Sequence, residues 1–181
     1  TTFVNAKSIK DWSSELDAHV RSGKKVILPL VAYYSSERLF SIKSLTSKQP
    51  IGRLLGYYHC LEKSSIQSYL ESWLYDAEIT EYNKRKHQDP NYVDKILAGV
   101  RETVSKMVPE ITSFYYGKID PVDAKERIVV AQSENGLKQL VPLDVLSDGF
   151  RNLFWLAFDL AWRCYTLNQT VSENPTAETP G

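Results

Sequence analysis

The sequence predicts an α+β chain, and three observations carry that prediction. Apolar residues recur at helical spacing in four separate segments. One run, Val26 to Tyr34, is apolar on both alternating faces, as expected of a strand buried inside a sheet. Two further apolar runs, Arg127 to Gln132 and Leu137 to Val141, flank Ser133-Glu134-Asn135-Gly136, and Asn-Gly between such runs is a strong short-range hairpin signal.

Taken in order, the first helix is expected over 8–21. Ile9, Trp12, Leu16 and Val20 share one face, Ser8 with Asp11 resembles a capping box, and Gly23 is a natural stop. Pro29 cannot donate to a ladder, so the paired part of the next strand is expected at Leu30 to Tyr34. Ser35 to Pro50 is polar and reads as a loop. Ile66 to Tyr82 carries the stripe Ile66, Tyr69, Leu70, Trp73, Leu74 and Ala77, so a second helix is expected over 66–82. The polar run Lys84 to Asn91 is expected to break it, and Asp89-Pro90 reads as an N-cap followed by proline at the first helical position. A third helix, over 91–108, places Val93, Ile96, Leu97, Val100, Val104 and Met107 on one side. These two helices are expected to form an antiparallel pair, a small helical lobe.

After the hairpin comes a helix over 148–167 that is apolar nearly all round and therefore expected to be buried. Asn152, Asp159, Arg163 and Thr166 fall on one stripe of it. Asp159 and Arg163, four apart, are placed to pair as a structural contact. Tyr69, Trp73 and Trp155 sit at core spacing. Thr170 to Gly181 is polar with two prolines and reads as a flexible tail. The resulting division is 1–60 for the first helix, strand and loop, 61–110 for the helical lobe, 111–169 for hairpin and long helix, and 170–181 for the tail.

Composition narrows the function classes. The chain has 181 residues, of which 43% are hydrophobic, with 11 Tyr and 4 Trp, which is enough to bury a core. Lys+Arg and Asp+Glu are both 22, so no global field attracts nucleic acid or anionic membrane. The basic run Lys84-Arg85-Lys86 reads as a solvated surface. Cys60 and Cys164 lie far apart, and three scattered histidines add no zinc spacing. The densest apolar stretch, Leu153 to Tyr165, contains Asp159 and Arg163 and is too short to span a bilayer, so a cytoplasmic location is expected.

The chemistry concentrates at Leu146-Ser147-Asp148-Gly149-Phe150-Arg151. A serine hydroxyl, a glycine that lets another group approach its N–H, and a helix N-terminus together make a turn that can bind phosphate. The same residues also serve as an ordinary N-cap. Asp148 is expected to point away from any phosphate, toward Arg151 or a partner chain. The loop that usually accompanies such a turn, G-x-x-x-x-G-K-[ST], is absent from the sequence. His59 and Cys60 adjoin, but nothing in the sequence supplies the orienting third group that a nucleophile–base pair needs.

This turn, followed by Asp159-Leu160-Ala161-Trp162-Arg163 and by Leu167-Asn168, resembles the signature segment of the RecF/SMC-like, ABC-type AAA ATPases. That family's form is similar to L-S-D-G-[YFQ]-R, then D-L-A-x-R and L-N. Leu28 to Leu39 resembles the family's strand ending in Y-Y-x-[ST]-x-R, and Leu61 to Trp73 resembles its helical lobe. The likeness spans about residues 25 to 169. It implies part of a P-loop NTPase fold with a helical lobe, and a dimeric ATPase several of whose relatives serve bacterial defence. Carried over, Ser147 and Gly149 touch the γ-phosphate held by an opposite subunit. Arg38 follows the expected buried strand, a common place for a functional loop, and either contacts phosphate or a partner or is an exposed arginine of a polar loop. The Walker A and Walker B segments of the family are missing from the sequence. The resemblance therefore implies a central fragment, inactive alone, with ATP and Mg2+ as cofactors only in the full-length protein. The partners it implies are a second copy through the signature face and, in the full-length context, a nuclease, a toxin or DNA. Two other classes remain beside it: an interaction module working through exposed apolar surface, and a small enzyme using residues such as His59.

Overall fold

The computed structural model describes residues 2–34, 51–62, 66–120, 125–134 and 137–181. Five helices and a three-stranded sheet appear there in mixed order: α1 (Thr2–Arg21), α2 (Gln67–His87), α3 (Lys95–Met107), β1 (Ile111–Gly117), β2 (Arg127–Glu134), β3 (Leu137–Pro142), α4 (Asp148–Asn168) and α5 (Pro175–Glu178). Short 3-10 helices at Gly52–Tyr57 and Leu143–Val145 lead toward α2 and into α4. This is the α+β class that the sequence predicts.

The sheet is antiparallel in the order β1-β2-β3. The expected hairpin is present: β2 and β3 pair from Val129↔Pro142 to Glu134↔Leu137. Asn135 and Gly136 themselves lie outside the described residues. β1 is an addition to the sequence reading. Its run Ile111-Thr112-Ser113-Phe114-Tyr115-Tyr116 is rich in β-branched and aromatic residues, as strands are. A side-chain clamp holds it against the helices. Glu78 on α2 accepts the Tyr116 N–H at 3.0 Å, and Arg101 on α3 donates to the Phe114 carbonyl at 3.2 Å. Arg101 and Glu78 also pair with each other.

Helix α4 is the spine of the molecule. Its buried Phe154, Phe158 and Trp162 meet Phe114 of β1 and Leu70, Leu74, Leu97, Val100 and Val104 of α2 and α3 in a single core. Phe114 contacts Phe154 and Phe158 at ring-centroid distances of 5.2 and 5.4 Å. Tyr69, Trp73 and Trp155 pack on this core from its rim, as their spacing predicts. The helices α2 and α3 are thus built around α4 and the sheet within one shared core.

Five expectations are corrected by the backbone. α1 begins at Thr2, so Ser8 is a mid-helix residue and caps nothing. Gly23 does end it, in the left-handed region at φ 74°, with Lys24 N–H returning to the His19 carbonyl. α2 runs through the basic residues to His87, because Lys84, Arg85 and Lys86 complement the negative end of the helix dipole. The cap of α3 is Asp94, which accepts from Ile96 and Leu97 N–H, each at 3.0 Å; Asp89 instead closes a local turn onto Asn91 N–H. Leu30 to Tyr34 has no strand ladder. Its backbone is held piecemeal: Leu30 N–H donates to the Pro180 carbonyl and Tyr33 N–H to the Cys60 carbonyl, both at 2.7 Å. The supposed flexible tail supplies that accepting Pro180 carbonyl. It folds back through α5, with Pro175 buried and Thr179 bonded to Asn168.

Candidate functional site along helix α4

The N-terminus of α4 is exposed, and so are Ser147, Asp148 and Gly149. Ser147 is the N-cap, its hydroxyl accepting from Phe150 N–H at 3.4 Å. A bond that long leaves the hydroxyl weakly committed. Asp148 pairs with Arg151, one of the two directions expected for it. Arg151 also reaches the Asp144 carbonyl at 3.4 Å. Gly149 needs no special backbone: its φ is not positive, and a Cβ built there meets nothing within 4 Å. By contrast, a Cβ on Gly99 would stand 2.0 Å from the Tyr165 ring, and one on Gly56 2.5 Å from Leu167. Those glycines are explained by packing inside the chain; Gly149 is not.

Midway along α4, Arg163 is fully buried and Asp159 is 2% exposed. Their contact, 2.8 Å from Nε to Oδ1, is ionic rather than a well-directed hydrogen bond. Arg163 Nη1 donates to the Gly56 and Tyr58 carbonyls at 2.8 and 3.0 Å. The Tyr34 hydroxyl donates to Asp159 Oδ2 at 2.8 Å. The pair is therefore structural, and it ties together the two stretches on which the sequence resemblance rests. Tyr34 closes the Tyr-Tyr segment, while Asp159 and Arg163 belong to the D-L-A-x-R stretch.

At the C-terminal end, Asn168 is fully buried and has every polar atom occupied. Its Oδ1 accepts from Leu28 N–H at 2.8 Å and from Arg53 at 3.0 Å, and its Nδ2 donates to the Leu28 carbonyl at 2.8 Å and to Thr179 at 2.7 Å. One side-chain amide thus imitates a strand neighbour for Leu28. Together with the Leu30 and Tyr33 contacts, this holds the 26–34 segment in place without a ladder. Sequence reasoning quoted Leu167-Asn168 only as part of a likeness. A buried asparagine near the end of an apolar helix was the available signal for this clamp.

Of the remaining candidates, Arg38 lies outside the described residues. His59 adopts φ 48° and its Nδ1 lies 2.6 Å from Glu62 Oε1. Burial pushes the Cys60 thiol up, with the Arg163 charge pulling the other way, which disfavours the thiolate. Tyr57, whose hydroxyl donates to the Pro29 carbonyl, is pushed up to about 12 by burial. Cys60 and Cys164 are both free thiols. Among the described residues no group of His, Cys, Asp and Glu is arranged to hold a metal ion, and no helix is long and apolar enough to cross a membrane. No protein-family model matches this chain, and no curated protein matches it either.

Proposed function

We propose that this chain is the signature-bearing region of an ABC-type ATPase that binds and hydrolyses ATP as a dimer in its full-length form. The observation that carries the reading is Gly149. It sits exposed beside a cap serine at the mouth of a buried 21-residue helix, and neither conformation nor packing within the chain calls for a glycine there. A glycine that the fold does not need suits a position where another molecule comes close. The outward Ser147 hydroxyl, the Gly149 N–H and the helix dipole then meet a phosphate presented from outside. Asp148, neutralised by Arg151, does not oppose it.

The described residues at the turn suit a phosphate delivered by a second subunit, and among the described residues no group of His, Cys, Asp and Glu is arranged to hold a metal ion. When bound, ATP with Mg2+ supplies the phosphoryl group whose charge must be stabilised as it transfers. The part played by this chain is to position two donors toward it. Losing one preorganised donor of this kind typically costs about 10²–10³ in rate. The experiment is Ser147→Arg in the full-length protein, read as ATPase rate and oligomer mass. Loss of both with an unchanged circular dichroism spectrum supports the reading; normal turnover refutes it and leaves the turn as a helix cap.

A second reading, a non-enzymatic interaction module, is favoured by exposed apolar side chains. Ile9 is 64% exposed and Trp12 51%, while Val31 and Tyr33 stand out from the extended segment. The Ser147→Arg turnover separates the two, and calorimetry of Mg-ATP with this chain tests for a further site that neither reading includes. Weak or no binding fits both, whereas micromolar affinity would demand a phosphate site beyond the α4 turn.

A further inference from the structure

The tail runs beside the 26–34 segment in a definite direction. Thr179 bonds to Asn168 Nδ2 at 2.7 Å, and the same side-chain amide holds the Leu28 N–H and carbonyl, each at 2.8 Å. One step further, the Leu30 N–H donates to the Pro180 carbonyl at 2.7 Å. Gly181 lies against Leu30, where a Cβ built on the glycine would stand 3.3 Å from Leu30 Cβ. Thr179 is thus level with Leu28 and Gly181 with Leu30, so the two stretches run parallel.

The backbone groups of the segment alternate as they do in a strand. The Pro29 carbonyl accepts from the Tyr57 hydroxyl, and the Tyr33 N–H donates to the Cys60 carbonyl, which places both residues on one edge. Leu28 and Leu30 face Asn168 and the tail on the other edge, and Ala32 is the next residue there. Among the described residues nothing donates to the Leu30 carbonyl, and the Ala32 N–H and carbonyl have no hydrogen-bond partner. An antiparallel pair would require Leu30 and Pro180 to exchange two N–H···O bonds, and proline has no N–H to give. In a parallel pair, the N–H and carbonyl of one residue go to the two residues flanking the one opposite. With Gly181 opposite Leu30, the first bond of that pattern, from Leu30 N–H to Pro180, is already made. The second falls to the residue after Gly181: its N–H meets the Leu30 carbonyl, and its own carbonyl meets the Ala32 N–H.

We infer that Leu30 to Tyr34 is the acceptor edge for a parallel strand formed by the residues that follow Gly181 in the full-length form, with Ala32 opposite the second of them. Parallel strands are covered on both faces, so that strand is apolar on both. Val31 and Tyr33, 40% and 46% exposed, supply apolar side chains to one face of the enlarged sheet. The pairing rests on the full-length form proposed above, and not on its activity.

The test sets the full-length protein beside this chain. Amide hydrogen exchange at Ala32 should be slower in the full-length protein, on the order of 100-fold, because its N–H passes from an open edge into a ladder. Register is read by cross-linking in the full-length protein. Ala32→Cys should form a disulfide with a cysteine placed at the second residue after Gly181, since parallel neighbours lie within bridging distance. A cysteine placed one residue later faces the opposite side of the sheet and should not link. An open reading frame that stops at Gly181, equal Ala32 exchange in the two proteins, or linkage only from the later position overturns the inference. The Ser147→Arg turnover is read separately. Normal turnover with a protected Ala32 refutes the ATPase reading and leaves the strand pairing standing, whereas lost turnover with an unprotected Ala32 does the reverse.

Discussion

Replacing Arg163 is the sharpest test of how this molecule is held together. Arg163→Met keeps the length and removes the charge. Two carbonyls, Gly56 and Tyr58, lose their donor, and Asp159 loses its buried counter-ion at 2.8 Å. Removing one partner of a buried pair costs about 3–5 kcal/mol, because the survivor is left charged in a place water reaches poorly. Stranded carbonyls add up to about 1–3 kcal/mol each where water cannot follow. Against a typical total stability of about 5–15 kcal/mol, the single variant should be severely destabilised. Asp159→Asn should also destabilise, by a smaller amount, since the Tyr34 hydroxyl keeps an acceptor. The double variant should be less damaged than the sum of the two singles, by a coupling of about 1–3 kcal/mol. Urea unfolding followed by tryptophan fluorescence gives all four corners of the cycle. Additive losses would mean that the two side chains act separately, and that the network linking Tyr34 to α4 is incidental.

The glycines give a paired prediction. Gly99→Ala should cost about 1–3 kcal/mol, because overpacking against Tyr165 outweighs the helix-propensity gain of at most about 1 kcal/mol. Gly149→Ala should leave thermal stability unchanged or slightly raised while lowering ATP turnover of the full-length protein. Asn168→Ala should cost at least about 1–3 kcal/mol and speed amide hydrogen exchange at Leu28, its bonded neighbour. The Glu78 carboxyl gives a pH signature. Burial holds it above the ordinary value of 4.5, although the Tyr116 N–H and Arg101 pull it down. The folded state therefore keeps this proton more tightly than the unfolded one. The Glu78 contribution is most favourable below that value and declines as pH rises through the raised one. Glu78→Gln should flatten that slope in denaturation midpoints measured from about pH 4 upward, and an unchanged slope would assign it to other carboxyls.

The features legible in the sequence were those with strong local causes. The α2 stripe, the apolar α4 and the Asn135-Gly136 hairpin each announce themselves by spacing or turn chemistry. The Asp159–Arg163 pair followed from helical geometry alone. The errors share a different cause, which is that the deciding partner was remote in sequence. Leu30 to Tyr34 looked like a strand because its pattern was right. Its N–H groups are taken by Pro180 and Cys60, and Leu28 is claimed by Asn168, contacts of long sequence separation that no local pattern reveals. The tail looked free for the same reason. The cap of α3 was misplaced because two aspartates, Asp89 and Asp94, offered the same chemistry five residues apart. β1 was the one avoidable omission, since its aromatic and β-branched residues were visible. At the candidate site, the identity and exposure of Ser147 and Gly149 were readable from the turn, whereas the meeting of Tyr34 with Asp159 was not.

That meeting bears on why the scattered stretches of the resemblance occur together. One helix carries all three of its α4 elements: Ser147 at the open end, Asp159 and Arg163 in the middle, and Asn168 at the closed end. A 21-residue helix spans about 30 Å and, packed on all sides from Phe154 onward, moves as a unit. Through Asp159 and Asn168 it holds the 26–34 segment at two points, Tyr34 and Leu28. The 26–34 segment is thus tied to the same helix that carries the exposed turn. The combination of residues has a mechanical logic in which no single stretch suffices. The turn needs a rigid shaft, the shaft needs buried polar contacts to fix its register, and those contacts select the tyrosine and the asparagine at their far ends.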